Sequence, residues 1–188
     1  MHILFIIDPI ESLSAYKDSS VAMMRSLLAR GHEISYCLQG DLYILNGKVL
    51  TSAQAIDIPQ DADLYQANWW QLKGEPKNCF LSDFDGVIMR KDPPFDLEYL
   101  YSTHLFDLAE EQGARIFNSG RAIRNHPEKL SIAEFPEYTA PTLVSNSMSR
   151  LRAFYEEHKD IVIKPLDGMG GAGIFRVKPN DANFAAMV

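Results

Sequence analysis

Between Lys164 and Gly173 the chain reads KPLDGMGGAG, with four glycines in six positions. Glycine loses more backbone freedom on folding than any other residue, so such a run needs a purpose. Gly168, Gly170 and Gly173 fit G-x-G-x-x-G, the spacing of dinucleotide-binding turns and of kinase phosphate loops. The flanks decide between them. Upstream, IVIK is short and β-branched, and downstream GIFRVKP is again strand-like, so no helix opens there to meet a pyrophosphate. A P-loop is excluded as well, because Ile174 and Phe175 stand where it requires Lys and Ser or Thr. What remains is a strand, a glycine-rich turn and a strand, a hairpin flap that can close over phosphates with its backbone N–H groups. A plain hairpin tip is the simpler alternative, but it needs only one or two glycines.

A second group of chemically capable residues lies earlier. In MRKDPP, Arg90 and Asp92 follow an apolar run that reads as a buried strand, and open α/β sheets place ligands at such carboxyl ends. Arg90 has the geometry to clamp a substrate carboxylate bidentately, and a surface Arg–Asp pair is the competing account. Asp18, Ser19 and Ser20 open a helical stretch, where each is a good N-cap. The five histidines are scattered and form no H-x-H or H-x-x-x-H pair, so no metal site is read.

The elements that must position these residues follow from periodicity. HILFIID is an apolar strand, VAMMRSLLARG a helix stopped by Gly31, and HEISYCL the next strand, the opening of a parallel α/β sheet. Asn46-Gly47 between two alternating runs marks a hairpin. Trp69 and Trp70 are expected to pack a helix. LSDFDGVIMR is a strand, FDLEYLYSTHLFDLAEEQ a helix closed by Gly113, ARIFNS a strand and GRAIRNHPEKLSIAEF a helix. From about Arg121 the pattern changes. TAPTLVSN, MSRLRAFYEEHKD and the glycine hairpin form a separate strand–helix–strand unit, and a last helix starts at Asn180 or Asp181.

The 188 residues, 46% hydrophobic and 23% charged, suit one domain and part of another. A formal charge of −7 argues against a nucleic-acid surface, and no apolar window approaches the ~20 residues of a membrane span. With two cysteines, Cys37 and Cys79, and no signal-peptide pattern, a reduced cytoplasmic protein is expected.

Four stretches in order, KDSS (17–20), MRKDPPFD (89–96), EKL (128–130) and KPLDGMGGAGIFRV (164–177), resemble bacterial glutathione synthetase, of the ATP-grasp superfamily. The resemblance runs along the whole chain and covers the N-terminal portion of the family's usual length. It implies an α/β fold: a parallel-sheet, Rossmann-like pre-ATP-grasp domain over 1–121, then a truncated first ATP-grasp lobe (α+β) over 122–188. The implied reaction joins γ-glutamylcysteine to glycine. ATP phosphorylates the cysteinyl carboxylate, and the glycine amine displaces phosphate from the acyl phosphate to give glutathione. By the same resemblance Lys129, Lys164 and the flap residues Gly168, Met169, Gly170 and Gly171 contact ATP. Asp18, Ser19, Ser20, Arg90 and Asp92 contact the small-molecule substrate. The Mg²⁺ ligands are expected beyond residue 188, and this piece alone is expected to be inactive. Apolar residues around Ile161, Ile163, Ile174 and Phe175 are expected at the surface, and with them a homo-oligomer. A non-catalytic binding or oligomerisation module and another ATP-grasp ligase are the alternatives.

Overall fold

The computed structural model describes residues 1–179, 181 and 183–187. The chain divides into two compact units: Met1–Asp92 with Leu97–Asn125, and Pro93–Asp96 with the described residues from His126 onward.

In the first unit, β1 (His2–Ile7) is buried along five of its six residues, as expected of a strand covered on both faces. Helix α1 (Ser19–Ala29) returns the chain to β2 (Glu33–Leu38), which lies parallel to β1. The Asn46–Gly47 turn has φ of 50° and 74°, the left-handed pair that a two-residue hairpin demands. It joins β3 (Leu42–Leu45) to the ten-residue β4 (Lys48–Asp57). Having turned back, β4 pairs antiparallel with β2, and β5 (Gln71–Leu72) and β6 (Lys77–Phe80) add to it antiparallel. The next strand, β7 (Gly86–Met89), is parallel to β1, and β8 (Ile116–Phe117) is parallel to β7. The sheet thus runs β3-β4-β2-β1-β7-β8, with a parallel half and an antiparallel half.

One face buries Ile3, Phe5 and Ile7 against Val21 and Met24 of α1, with Ile56 and Trp69 closing the cluster. Fully burying such a side chain stabilises the fold by about 1.5–3 kcal/mol relative to leaving it in water. Trp69 is buried, as its expected packing role requires, but it does not lie on a helix. The segment turns instead, with the Asp63 carboxylate accepting from the Tyr65 amide at 3.0 Å. Trp69 then meets Trp70 edge-on at 6.4 Å.

Helix α2 (Leu97–Glu111) is closed by Gly113 at φ 97°, and α3 (Gly120–Asn125) crosses it closely. Arg124 ties the crossing by donating to the Asp107 carboxylate and, at 3.0 Å, to the Thr103 hydroxyl. The longer helix read from GRAIRNHPEKLSIAEF is corrected here. It stops at Asn125 because Pro127 has no N–H to donate and disfavours helical backbone before it. Two 3-10 turns, Ser131–Glu134 and Pro136–Tyr138, follow.

The two thiols differ in burial. Cys37, on β2, is buried, and desolvation pushes its thiol up to about 12, with Asp41 adding to the rise. Cys79 is half-buried on β6, also raised by burial and by Asp83. Since the thiolate is the reactive form, iodoacetamide at pH 8 is expected to label Cys79 slowly and Cys37 only after unfolding. Mass spectrometry of the native and denatured chain reads this directly. Equal labelling in the native state would mean that the strand is not buried.

In the second unit, α4 (Met148–His158) packs on a two-stranded antiparallel sheet, β9 (Ile161–Ile163) and β10 (Phe175–Val177). Its small core is Tyr155, Val177 and Phe184, flanked by Leu151, Ile161 and Ile163. Tyr155 stacks on Phe184 at 4.7 Å and donates its hydroxyl to the Lys178 carbonyl at 2.7 Å. TAPTLVSN forms no strand, a further correction; among the described residues the sheet of this unit is β9 and β10 alone. Of the two expected starts for the final helix, Asn180 lies outside the described residues. Asp181 accepts from the Asn183 amide at 2.9 Å, just before α5 (Phe184–Met187). Around the hairpin strands Val162, Ile174 and Phe175 are exposed. Ile161 and Ile163 are half-buried against α4, because strand alternation turns them to the helix side.

Candidate functional site

Each unit carries its own cluster of chemically capable residues. In the first, three elements converge at the carboxyl end of the parallel strands. Asp18 alone caps α1, its Oδ1 accepting from the amides of Ser20 at 2.7 Å and Val21 at 3.1 Å. Ser19 and Ser20 are therefore not caps but first-turn residues, and their hydroxyls are free for something else. They receive Arg90, whose Nε donates to Ser20 Oγ at 2.9 Å and whose Nη2 donates to Ser19 Oγ at 2.6 Å. Arg90 itself is held by its amide, which donates to the Ile6 carbonyl at 2.8 Å and carries the β1–β7 ladder one step further.

Two bonds occupy part of a guanidinium that offers five donors, so the fork is oriented without being used up. The Asp92 amide donates to Asp8 Oδ2 at 2.8 Å, and the other Asp8 oxygen lies 3.5 Å from Lys91 Nζ. The Asp92 carboxyl is pushed up from its ordinary value, first by burial and then by Asp8 and Asp18, while Arg90 and Lys91 pull it back. The structure thus brings together Asp18, Ser19, Ser20, Arg90 and Asp92.

Two residues were missed from sequence. Asp8 is the junction of the cluster, and its signal was available, since it ends the first strand at the edge where ligands bind. Lys91 was passed over beside Arg90. Alternation along an extended chain sends these neighbours to opposite sides, with Arg90 on the α1 hydroxyls and Lys91 6.0 Å from the Tyr99 ring centroid of α2. On the Lys91 side lies a cavity of about 460 Å³. Its polar lining comes from Asp8, Gln39, Lys91, Glu98 and Ser102, over an apolar floor around Leu38.

The second cluster is the glycine turn. Gly170, Gly171 and Gly173 have φ of 61°, 84° and 68°, the left-handed region that favours glycine. Among the described residues the amides of Met169, Gly170 and Gly171 have no acceptor within the chain, whereas those of Ala172 and Ile174 close the turn on Met169 and Gly171. Lys129 donates to the Gly168 carbonyl, which ties its ammonium to the loop. Lys164 follows β9 directly and is exposed.

Consecutive N–H groups without acceptors, open space where side chains would stand and two lysines in one unit fit the phosphates of a nucleotide. Among the described residues no three of His, Cys, Asp and Glu converge to hold a metal. No helix among them is long and apolar enough to cross a membrane.

Comparison with known proteins agrees with this division. Residues 1–124 match the model of the prokaryotic glutathione synthetase N-terminal domain, and residues 128–188 match that of the prokaryotic glutathione synthetase ATP-grasp domain. Glutathione synthetase of Bordetella parapertussis is 57% identical over 188 residues, which cover 100% of this chain and 59% of that protein. The protein of the same name from Ralstonia nicotianae is 48% identical, covering 100% of this chain and 56% of the other. That from Neisseria meningitidis serogroup A is 47% identical, covering 100% and 59%. The chain therefore spans under three fifths of the length of these relatives. It belongs to the prokaryotic glutathione synthetase family.

Proposed function

We propose that this chain supplies the substrate side and the phosphate-gripping flap of an ATP-dependent carboxylate–amine ligase that joins γ-glutamylcysteine to glycine. The observation that carries this reading is the run of three acceptor-free amides at Met169, Gly170 and Gly171, in a loop held by Lys129. Backbone donors and lysines are what an anionic triphosphate needs, because they supply fixed positive potential with no side chain in the way. ATP, when bound, would supply the phosphoryl group that turns one carboxylate oxygen into a phosphate leaving group, so that an amine can attack the acyl carbon. The chain's own residues do the rest of what can be read here. Met169, Gly170 and Gly171 present N–H groups to phosphate oxygens, and Lys129 and Lys164 add charge that follows the loop. Arg90, oriented by Ser19 and Ser20, takes a carboxylate of the peptide substrate, and Asp18 keeps those serines in register by capping their helix. Asp92, through its amide on Asp8, fixes the strand end from which Arg90 projects.

The experiment joins the 188 residues to the remainder of the Bordetella parapertussis relative and measures phosphate release with ATP, Mg²⁺, γ-glutamylcysteine and glycine. The joined protein is expected to turn over only when both γ-glutamylcysteine and glycine are present, and the 188-residue chain alone to give none. Phosphate release that ignores γ-glutamylcysteine in the joined protein would overturn the assignment of substrate.

A further inference from the structure

The four residues Pro93–Asp96 belong in space to the second unit, although both of their sequence neighbours, Asp92 and Leu97, belong to the first. Within the second unit the Phe95 amide donates to the Asp167 carbonyl at 3.2 Å. Asp167 directly precedes Gly168, whose carbonyl takes the Lys129 ammonium, so the segment is fastened to the base of the glycine turn. That base is close-packed. Pro165 Cγ lies 2.9 Å from where a Gly168 Cβ would stand and 3.1 Å from where a Gly173 Cβ would. Around Gly170 and Gly171, at the tip, there is open space. The turn therefore has a loose tip and a base that shifts as one piece with whatever is bonded to it.

The two ends of the segment are fixed as well. Asp92 donates its amide to Asp8 and accepts Lys91 Nζ on its carbonyl at 2.9 Å. On the far side α2 begins at once, and in its first turn the Tyr99 hydroxyl donates to the Lys91 carbonyl at 3.3 Å. A connection that served only to join two units would be long and rich in Gly and Ser. This one is four residues with two consecutive prolines, each with a locked φ and no N–H to donate. Phe95 is thus the first residue after Asp92 that can donate from its backbone, and its amide goes to the turn.

We propose that Pro93–Asp96 is a stiff strap that couples the two clusters, with Pro93, Pro94 and Phe95 as its positioning residues. When the turn closes on phosphate, the strap fixes Asp92 and with it the strand end that carries Arg90. When the turn is open, that strand end is freer. Substrate and nucleotide then tighten each other, and the coupling is reciprocal because both bias one linked equilibrium. The proposal rests on the ligase reading above.

The joined protein tests it by calorimetry with Mg²⁺, a non-hydrolysable ATP analogue and γ-glutamylcysteine, glycine being left out. In the unmodified protein each ligand is expected to tighten the other by the same factor, within the roughly 5–150-fold typical of coupled sites. Replacing both prolines, Pro93→Gly with Pro94→Gly, frees the two locked φ angles. It is expected to remove most of that factor while each ligand alone binds as before. Hydrogen exchange in the unmodified protein reads the strap without any substitution. There γ-glutamylcysteine alone is expected to slow exchange of the Phe95 amide and of the Asp167 and Gly168 amides at the base of the turn. A factor unchanged in the doubly substituted protein overturns the strap, and so does the absence of mutual tightening or of slowed exchange in the unmodified one. Failure of γ-glutamylcysteine to bind the unmodified joined protein at all overturns the ligase reading instead.

Discussion

Gly170→Val in the joined protein is expected to lower kcat/KM for ATP by about 10–100-fold while leaving thermal unfolding where it was. Gly170 has φ 61°, and a β-branched residue there is a steric outlier with a penalty on the order of 1–3 kcal/mol, which converts to that loss. No atom lies within 4 Å of where its Cβ would stand, so the effect does not come from crowding. The valine instead drives the turn out of the left-handed conformation and swings the Gly170 and Gly171 amides away from their common target. The neighbouring core of Tyr155, Val177 and Phe184 is untouched, which is why the melting temperature should hold. Gly170→Ala, with its smaller penalty, should fall between. ATP binding by Gly170→Val at the unmodified level, measured by calorimetry, would mean that the flap conformation does not matter to nucleotide.

Gly120→Ala should destabilise the first unit by about 3 kcal/mol, an overpacking penalty at the upper end of the usual range. A Cβ at Gly120 would lie 2.0 Å from the Thr103 carbonyl oxygen and 2.8 Å from Asp107 Oδ1. The first of these is backbone of α2 and cannot rotate away. Helix α3 must then back off, taking Arg124 from its bonds to Asp107 and to the buried Thr103 hydroxyl. For a chain of this size that destabilisation corresponds to roughly 6–12 °C in melting temperature. Gly40→Ala serves as the control, because open space surrounds that position. A Gly120→Ala chain that melts with the unmodified one would show that the two helices do not cross so closely in solution.

The contrast between these glycines shows where sequence reading reaches. Gly170 was legible as a turn residue, because four glycines between two strand-like runs predict the left-handed backbone found there. Gly120 was not, since a single glycine before RAIRN looks like any helix start, and only the approach of α2, many residues away in sequence, gives it a task. Asp18 was readable as a cap because capping is local, resting on amides two and three residues ahead. That Ser19 and Ser20 hold Arg90 was not, because their partner is seventy or more residues distant. Pro127 was visible and still misread, its local veto on the helix outweighed by an apolar pattern that continued past it.

By itself the amino-acid order determined the period-driven elements: the buried first strand, the capped helix after it, the Asn46–Gly47 hairpin and the glycine flap between two strands. Each depends on backbone preferences and neighbours a few residues apart, which is information a linear chain carries. Only the tertiary structure decided that β4 would make half the sheet antiparallel. It also decided that Asp8 would sit between Asp92 and Lys91, and that a cavity would open against Glu98. Those outcomes depend on which distant segments share a sheet edge, and pairing across tens of residues is settled by burial and hydrogen bonding of the whole unit, not by any local propensity.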